Sequence, residues 1–239
     1  MNLLNPSGRP PIVGDVTAFD CSVTDDGWPW AEKNADAIAE HWAHAIAEKP
    51  SMFDGEVVIA TEVGIEQSRV VSAHAVVRFA AFHYWQISGF PRADAFNLFG
   101  AGIVVTRDDA VLLGLMAPHT SNAGLAYFPC GTPDRDDITN GRLDIEGSIV
   151  RELEEETGLG PHLRSADQRW ISWDGALFCC ARRFDTDLTA AEVREIAAAH
   201  IAGQAKPELE NVILVKSLDE LVKGKIPAYA VALLGQVLA

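Results

Sequence analysis

Residues 151–159 read RELEEETGL and crowd four carboxylates, Glu152, Glu154, Glu155 and Glu156, into five consecutive positions. The surrounding pattern predicts a helix. Asp144 is placed to cap its start, Ile145, Ile149 and Leu153 recur at intervals of four, and Gly158 is placed to end it. On that helix Glu152, Glu155 and Glu156 are related by steps of three and four, so their carboxylates project from one face. On this local pattern alone, a run of Glu on an amphipathic helix is a solvated face. Three like charges on one face otherwise require something positive to collect them.

The composition narrows the choice. A chain of 239 residues with 48% apolar content can bury a normal core. Its 19 Lys plus Arg stand against 34 Asp plus Glu, a net charge of -15 that repels phosphodiester backbones and anionic membrane surfaces. Neither nucleic acid nor membrane is an expected partner. A phosphorylated small molecule remains open, provided that a divalent cation sits between the two sets of negative charge. The opening MNLLNPSGRPPIVG lacks a basic segment followed by a long apolar core, and no run approaches ~18 uninterrupted apolar residues. Cys21, Cys130, Cys179 and Cys180 have neither zinc-site spacing nor disulfide-scaffold density, so reduced thiols and a cytoplasmic location are expected.

The texture of the chain changes near residue 92. Before it, the spacing of Ile38, Trp42, Ala45 and Ile46 predicts a helix over residues 29–48, followed by a strand pair in GEVVIATEV and SRVVSAHAVV and an aromatic helix in VVRFAAFHYWQI. After it, NLFGAGIVVT and VLLGLMA read as a hairpin turning at RDDA, and residues 119–142 read as loop apart from a short strand at LAYF. Beyond the acidic helix come strands at QRWISW and ALFCCARRF, a helix near 190–202, a strand at NVILVKS and a closing helix near 228–238. Strands interspersed with a few helices predict an α+β chain, divided into a small extension over 1–92 and a main domain over 93–239.

RELEEETGL resembles, position for position, the second half of the signature of the Nudix hydrolases, G-x5-E-x7-R-E-U-x-E-E-x-G-U, with U an aliphatic residue. The resemblance covers residues 93–239 and implies an α/β/α sandwich with a mixed sheet. The first half departs from the pattern. Gly131, in YFPCGTP, stands 20 residues before Arg151 rather than 14, so DRDDITNGRLD carries a six-residue insertion. The position eight before Arg151 is Leu143 instead of Glu, and Asp144 beside it is expected to take over the capping role.

The resemblance implies Mg2+, with Mn2+ as a substitute, held by Glu152, Glu155, Glu156 and the backbone carbonyl of Gly131. It also implies hydrolysis of a nucleoside diphosphate linked to another moiety, with nucleotide sugars as a weak architectural analogy. Oxygen-only donors suit a hard ion that keeps its waters. Arg151 is expected to orient the first carboxylate, while Glu154 falls on a variable position facing solvent. A further catalytic carboxylate is sought at Glu208 or Glu210, just before the strand at NVILVKS. His119, Thr120, Ser121 and Asn122 form a polar loop that suits either sugar or base recognition or an ordinary turn. The partner expected is a small-molecule nucleoside diphosphate derivative, with a homodimer as the assembly allowed for. A Nudix-fold binding or regulatory module that hydrolyses poorly is the alternative.

Overall fold

The computed structural model describes residues 6–50, 52–91, 94–222 and 224–238. In chain order its elements are β1 (Ile12–Val16), β2 (Ala18–Val23), α1 (Pro29–Lys33), α2 (Ala35–Glu48), β3 (Glu56–Glu66), β4 (Arg69–Arg78) and α3 (Phe79–Ile87). Then follow β5 (Asn97–Val105), β6 (Val111–Met116), β7 (Ala126–Tyr127), β8 (Cys130–Gly131), β9 (Ile138–Thr139), β10 (Arg142–Leu143) and α4 (Ile145–Thr157). The chain ends with β11 (Leu163–Asp174), β12 (Leu177–Thr186), α5 (Ala190–Gly203), β13 (Leu209–Val215) and α6 (Ala228–Val237).

The result is a mixed α+β fold with two mixed sheets. The larger runs β1-β11-β12-β5-β6-β13, with β7 added to β6 and β8 to β5; β12 and β5 are parallel and the other pairs antiparallel. Every residue of β5 is buried, as expected for a strand covered on both faces. One face meets α4 so closely that a Cβ at Gly100 would lie 2.5 Å from Ile149 Cγ1, and one at Gly102 2.5 Å from Leu153 Cδ1. Phe99, on the opposite face, meets Tyr229 of α6 edge to face with ring centroids 5.2 Å apart. Helices on both faces make the layered α/β/α arrangement.

The smaller sheet runs β3-β4-β2-β10-β9, with β2 and β4 parallel. Its apolar side chains, among them Cys21, Val58 and Val70, pack with Leu98, Ile171, Phe178 and Cys180 of the larger sheet. The two parts of the chain share both sheets. β1 lies antiparallel to β11, with Ile12 opposite Trp173, and β2 pairs with β10 through Ser22 and Arg142. The expected boundary between 92 and 93 falls on residues outside those described.

Two local expectations change. The helix predicted over 29–48 is two helices, because the Asn34 side chain donates to the Trp30 carbonyl at 2.7 Å and competes with the backbone for that acceptor. Ile46, placed on the apolar stripe, is 39% exposed. The inserted loop is also not structureless. β9 and β10 form a hairpin closed by Asn140 and Gly141 at φ 53° and 71°, the mirror-image turn that Asn-Gly favours. Among the described residues no helix is long and apolar enough to cross a membrane, and the four cysteines are free thiols.

Candidate active site

Helix α4 begins where expected, with Asp144 Oδ1 accepting from the Gly147 N–H at 2.9 Å, and ends at Gly158 in the left-handed region at φ 67°. Its apolar residues Ile149 and Leu153 are fully buried. That anchoring fixes which carboxylates turn outward to β8 and to the segment between α5 and β13. Glu152, Glu155 and Glu156 line one recess of about 460 Å³ together with Arg151, Gly131, Thr132, Gln204, Lys206 and Glu208. Glu154 lies outside it and accepts from the Gly160 N–H at 2.8 Å. Of the two downstream candidates, Glu208 reaches the recess and Glu210 does not line it.

The carboxylates differ in environment. Glu156 is 6% exposed and its Oε2 has no hydrogen-bond partner. Burial drives its carboxyl well above the ordinary carboxylate range, and the charges of Glu152 and Glu208 push the same way, with the Cys130 N–H as a partial counterweight. Burial likewise pushes the Glu152 carboxyl up to about 7, against the pull of Arg151. Glu155 is far more open, with its side chain 57% exposed. Gly131 makes room for Glu152, since a Cβ there would sit 2.2 Å from its Oε1.

Arg151 organises this edge. Its guanidinium lies 3.1 Å from Glu152, 3.1 Å from Glu155 and 3.0 Å from Asp137. Asp137 was not anticipated. It sits in the inserted loop, is 7% exposed, and its carboxylate also accepts from Ser148 Oγ at 3.2 Å and the Asp134 N–H at 3.1 Å. The loop therefore brings to Arg151 a buried carboxylate that Leu143 does not provide. The Asn-Gly turn beside it was the available signal, because a hairpin there returns the preceding acidic run to the start of α4.

The donor set has the chemistry of a divalent-cation site. All its atoms are oxygens, the ligand type that Mg2+ and Mn2+ prefer, and Glu156 offers an unpartnered buried one. As the side chains stand, no three His, Cys, Asp or Glu among the described residues converge into a ready metal cage. Glu152 and Glu155 are instead drawn to Arg151. The residues fit the ion chemically, with Glu152 shared between Arg151 and the recess.

Two further spaces open from the same point. A small pocket of about 120 Å³ is lined by Asn97, Phe99, Asn122, Tyr127 and Tyr229 among others. The Oδ1 atoms of Asn97 and Asn122 there are buried without partners. A larger cleft of about 940 Å³ extends to α2 and α3 and includes His119, Thr120, Ser121 and Asn122, so the polar loop does border the site. Gly131 and Thr132 line all three spaces.

No family model matches the chain, and no curated protein matches it. Solved structures similar to it include the Nudix hydrolase RenU from M. smegmatis, at 15% identity over 58% of this chain and 80% of that one, with a TM-score of 0.37. The bifunctional NMN adenylyltransferase/ADP ribose pyrophosphatase of Francisella tularensis, complexed with AMP and Mn ion, is 16% identical over 66% of this chain and 44% of that one, with a TM-score of 0.40. The Nudix domain of Shewanella oneidensis NrtR, complexed with ADP ribose, is 16% identical over 64% and 94% respectively, with a TM-score of 0.38. Likenesses this distant assign neither activity nor ligand to the present chain.

Proposed function

We propose that this chain is a Nudix-type hydrolase that cleaves the diphosphate of a nucleoside diphosphate joined to a second moiety, using Mg2+ or Mn2+. The observation that carries the reading is the pair Glu156 and Glu152 on one helix face, the first buried with an unpartnered oxygen and the second half-buried beside it. Buried like charges of this kind are held ionised by a cation or neutralised by protons. The signature resemblance of residues 151–159 supports the same reading.

Glu152, Glu156 and the Gly131 carbonyl would hold the ion, with Glu155 at the open rim. Once bound, it would neutralise charge developing on the phosphoryl oxygens and acidify a nearby water. Arg151 orients Glu152 and Glu155, and Asp137 fixes Arg151 in turn. Water adds to one phosphorus, the bridging P–O bond breaks, and the water's proton passes to Glu208 or to solvent. Glu210 has no part in this scheme. The products are a nucleoside monophosphate and the phosphorylated second moiety.

A chromatographic screen for nucleoside monophosphate tests the reading, with nucleotide sugars, ADP-ribose, dinucleoside polyphosphates, NADH and nucleoside triphosphates offered with Mg2+ and with EDTA. Cleavage of at least one member, abolished by EDTA, is expected. The engagement of Glu152 and Glu155 by Arg151 favours a second reading, a nucleotide-binding module with little turnover. Binding of panel members without cleavage of any would select it.

A further inference from the structure

The large cleft has a wall that the carboxylate chemistry does not use. Helix α2 faces it with His41, His44, Ala45 and Glu48, at helical steps of three, four and seven. Helix α3 faces it with Phe79, His83, Gln86 and Ile87, on the matching steps of four, seven and eight. Imidazoles therefore occupy positions where a helix packed onto a core would carry aliphatic groups.

These rings are held in place. His41 Nε2 and His83 Nδ1 are 2.9 Å apart, so one ring donates to the other and each keeps a second nitrogen for another partner. Their ring planes stack at 5.0 Å, Phe79 stacks on His83 at 5.7 Å, and Trp42 meets His83 edge-on. Lys49, at the end of α2, donates to the His119 carbonyl at 2.7 Å and ties the helix to the loop across the cleft mouth.

The charge distribution is selective. Four of the seven histidines and two of the six lysines, Lys49 and Lys206, line this one cleft in a chain of net charge -15. Among the described residues Lys216 pairs with Asp108, whereas Lys49 and Lys206 form no ion pair. Opposing carboxylates in the lining are confined to Glu48 and Glu208, and Glu208 belongs to the recess end. A space that joins the carboxylate recess at Gly131 and is lined with donors suits an anion carried at a distance from the diphosphate.

We infer that the α2–α3 cleft is the subsite for the second moiety of the substrate, and that this moiety bears its own anionic group, a phosphate or a carboxylate, held by Lys49 and the His41–His83 pair. The inference rests on the hydrolase reading for the word substrate, but the anion subsite itself can be tested without turnover.

Inorganic phosphate is titrated into the metal-free protein while the seven imidazole C–H signals are followed by NMR. Saturable shifts are expected for His41, His44, His83 and His119, with His162 and His200 unmoved and a Lys49→Met variant binding at least fivefold more weakly. Equal, non-saturable shifts at all histidines, or none, would overturn the subsite. In the turnover arm UDP-glucuronate is set against its neutral near-isostere UDP-glucose, and ADP-ribose against its 1″-phosphate, whose added group lies on the terminal ribose. At least tenfold lower KM for the anionic member of a cleaved pair is expected, and Lys49→Met is expected to bring that ratio toward one. Phosphate capture without hydrolysis of any panel member keeps the subsite and removes the hydrolase reading. Hydrolysis with neither histidine shifts nor a preference for anionic members does the reverse.

Discussion

In the proposed reaction the buried Glu156 and the half-buried Glu152 supply the chemistry, and the buried Asp137 holds the arginine beside them. Glu152 and Glu156 could be picked from the run of acids because helical spacing separates them from Glu154. Asp137 could not, because its approach to Arg151 depends on a hairpin in a segment that reads as loop. If Asp137 positions Arg151, Asp137→Ala should lower kcat about ten- to hundredfold and weaken activation by Mg2+; steady-state rates over a Mg2+ series would show it, and an unaltered Mg2+ dependence would dismiss the role.

Burial of the carboxyls also predicts a pH dependence. Burial raises the folded-state pKa of Glu152 from 4.5 to about 7 and holds that of Glu156 well above the ordinary carboxylate value. Between 4.5 and these values the metal-free folded protein binds more protons than the unfolded chain, so the contribution of these groups to stability falls as pH rises through that window. Urea unfolding in EDTA at pH 5 and pH 8 should reveal this fall, and Glu156→Gln should lessen it. A variant whose loss between the two pH values equals that of the wild type would refute the assignment.

At the scale of elements, α4 is held against β5 by absent side chains. Gly100 and Gly102 alternate along β5 and admit Ile149 and Leu153, and this close fit aims Glu152 and Glu156 at β8. Gly102→Ala would drive a methyl into Leu153, at a cost of about 1–3 kcal/mol. Thermal denaturation should show the loss together with weakened Mg2+ activation, and an unchanged melting temperature would mean that the helix sits farther from the sheet. The strands around this pair were largely legible from β-branched runs and turn residues, but their order in the sheet was not. Helix α4 was legible down to its cap and stop. What escaped was short. The break at Asn34 arises from a side chain taking a backbone acceptor, and β8, β9 and β10 are two-residue strands too brief for any alternation to register.

Over the whole molecule, the first part of the chain is woven into both sheets and walls the large cleft. The sequence shows a change of texture near residue 92, but periodicity within a strand does not reveal which distant strand it will pair with. β1 covers the edge of β11, and β2 receives the hairpin that carries the insertion. Deleting residues 1–92 should therefore leave open strand edges and yield an aggregating or poorly folded chain. A soluble fragment with a cooperative melt like that of the full chain would show that the extension is dispensable.

The proposed hydrolysis is tried most directly by metal-dependent cleavage of a diphosphate substrate from the panel, measured side by side for the wild-type chain and Glu156→Gln with both proteins shown to be folded. Turnover is expected to require Mg2+ or Mn2+ and to fall about a hundredfold or more in the variant. Equal turnover in the two proteins, or turnover that survives EDTA, would contradict it.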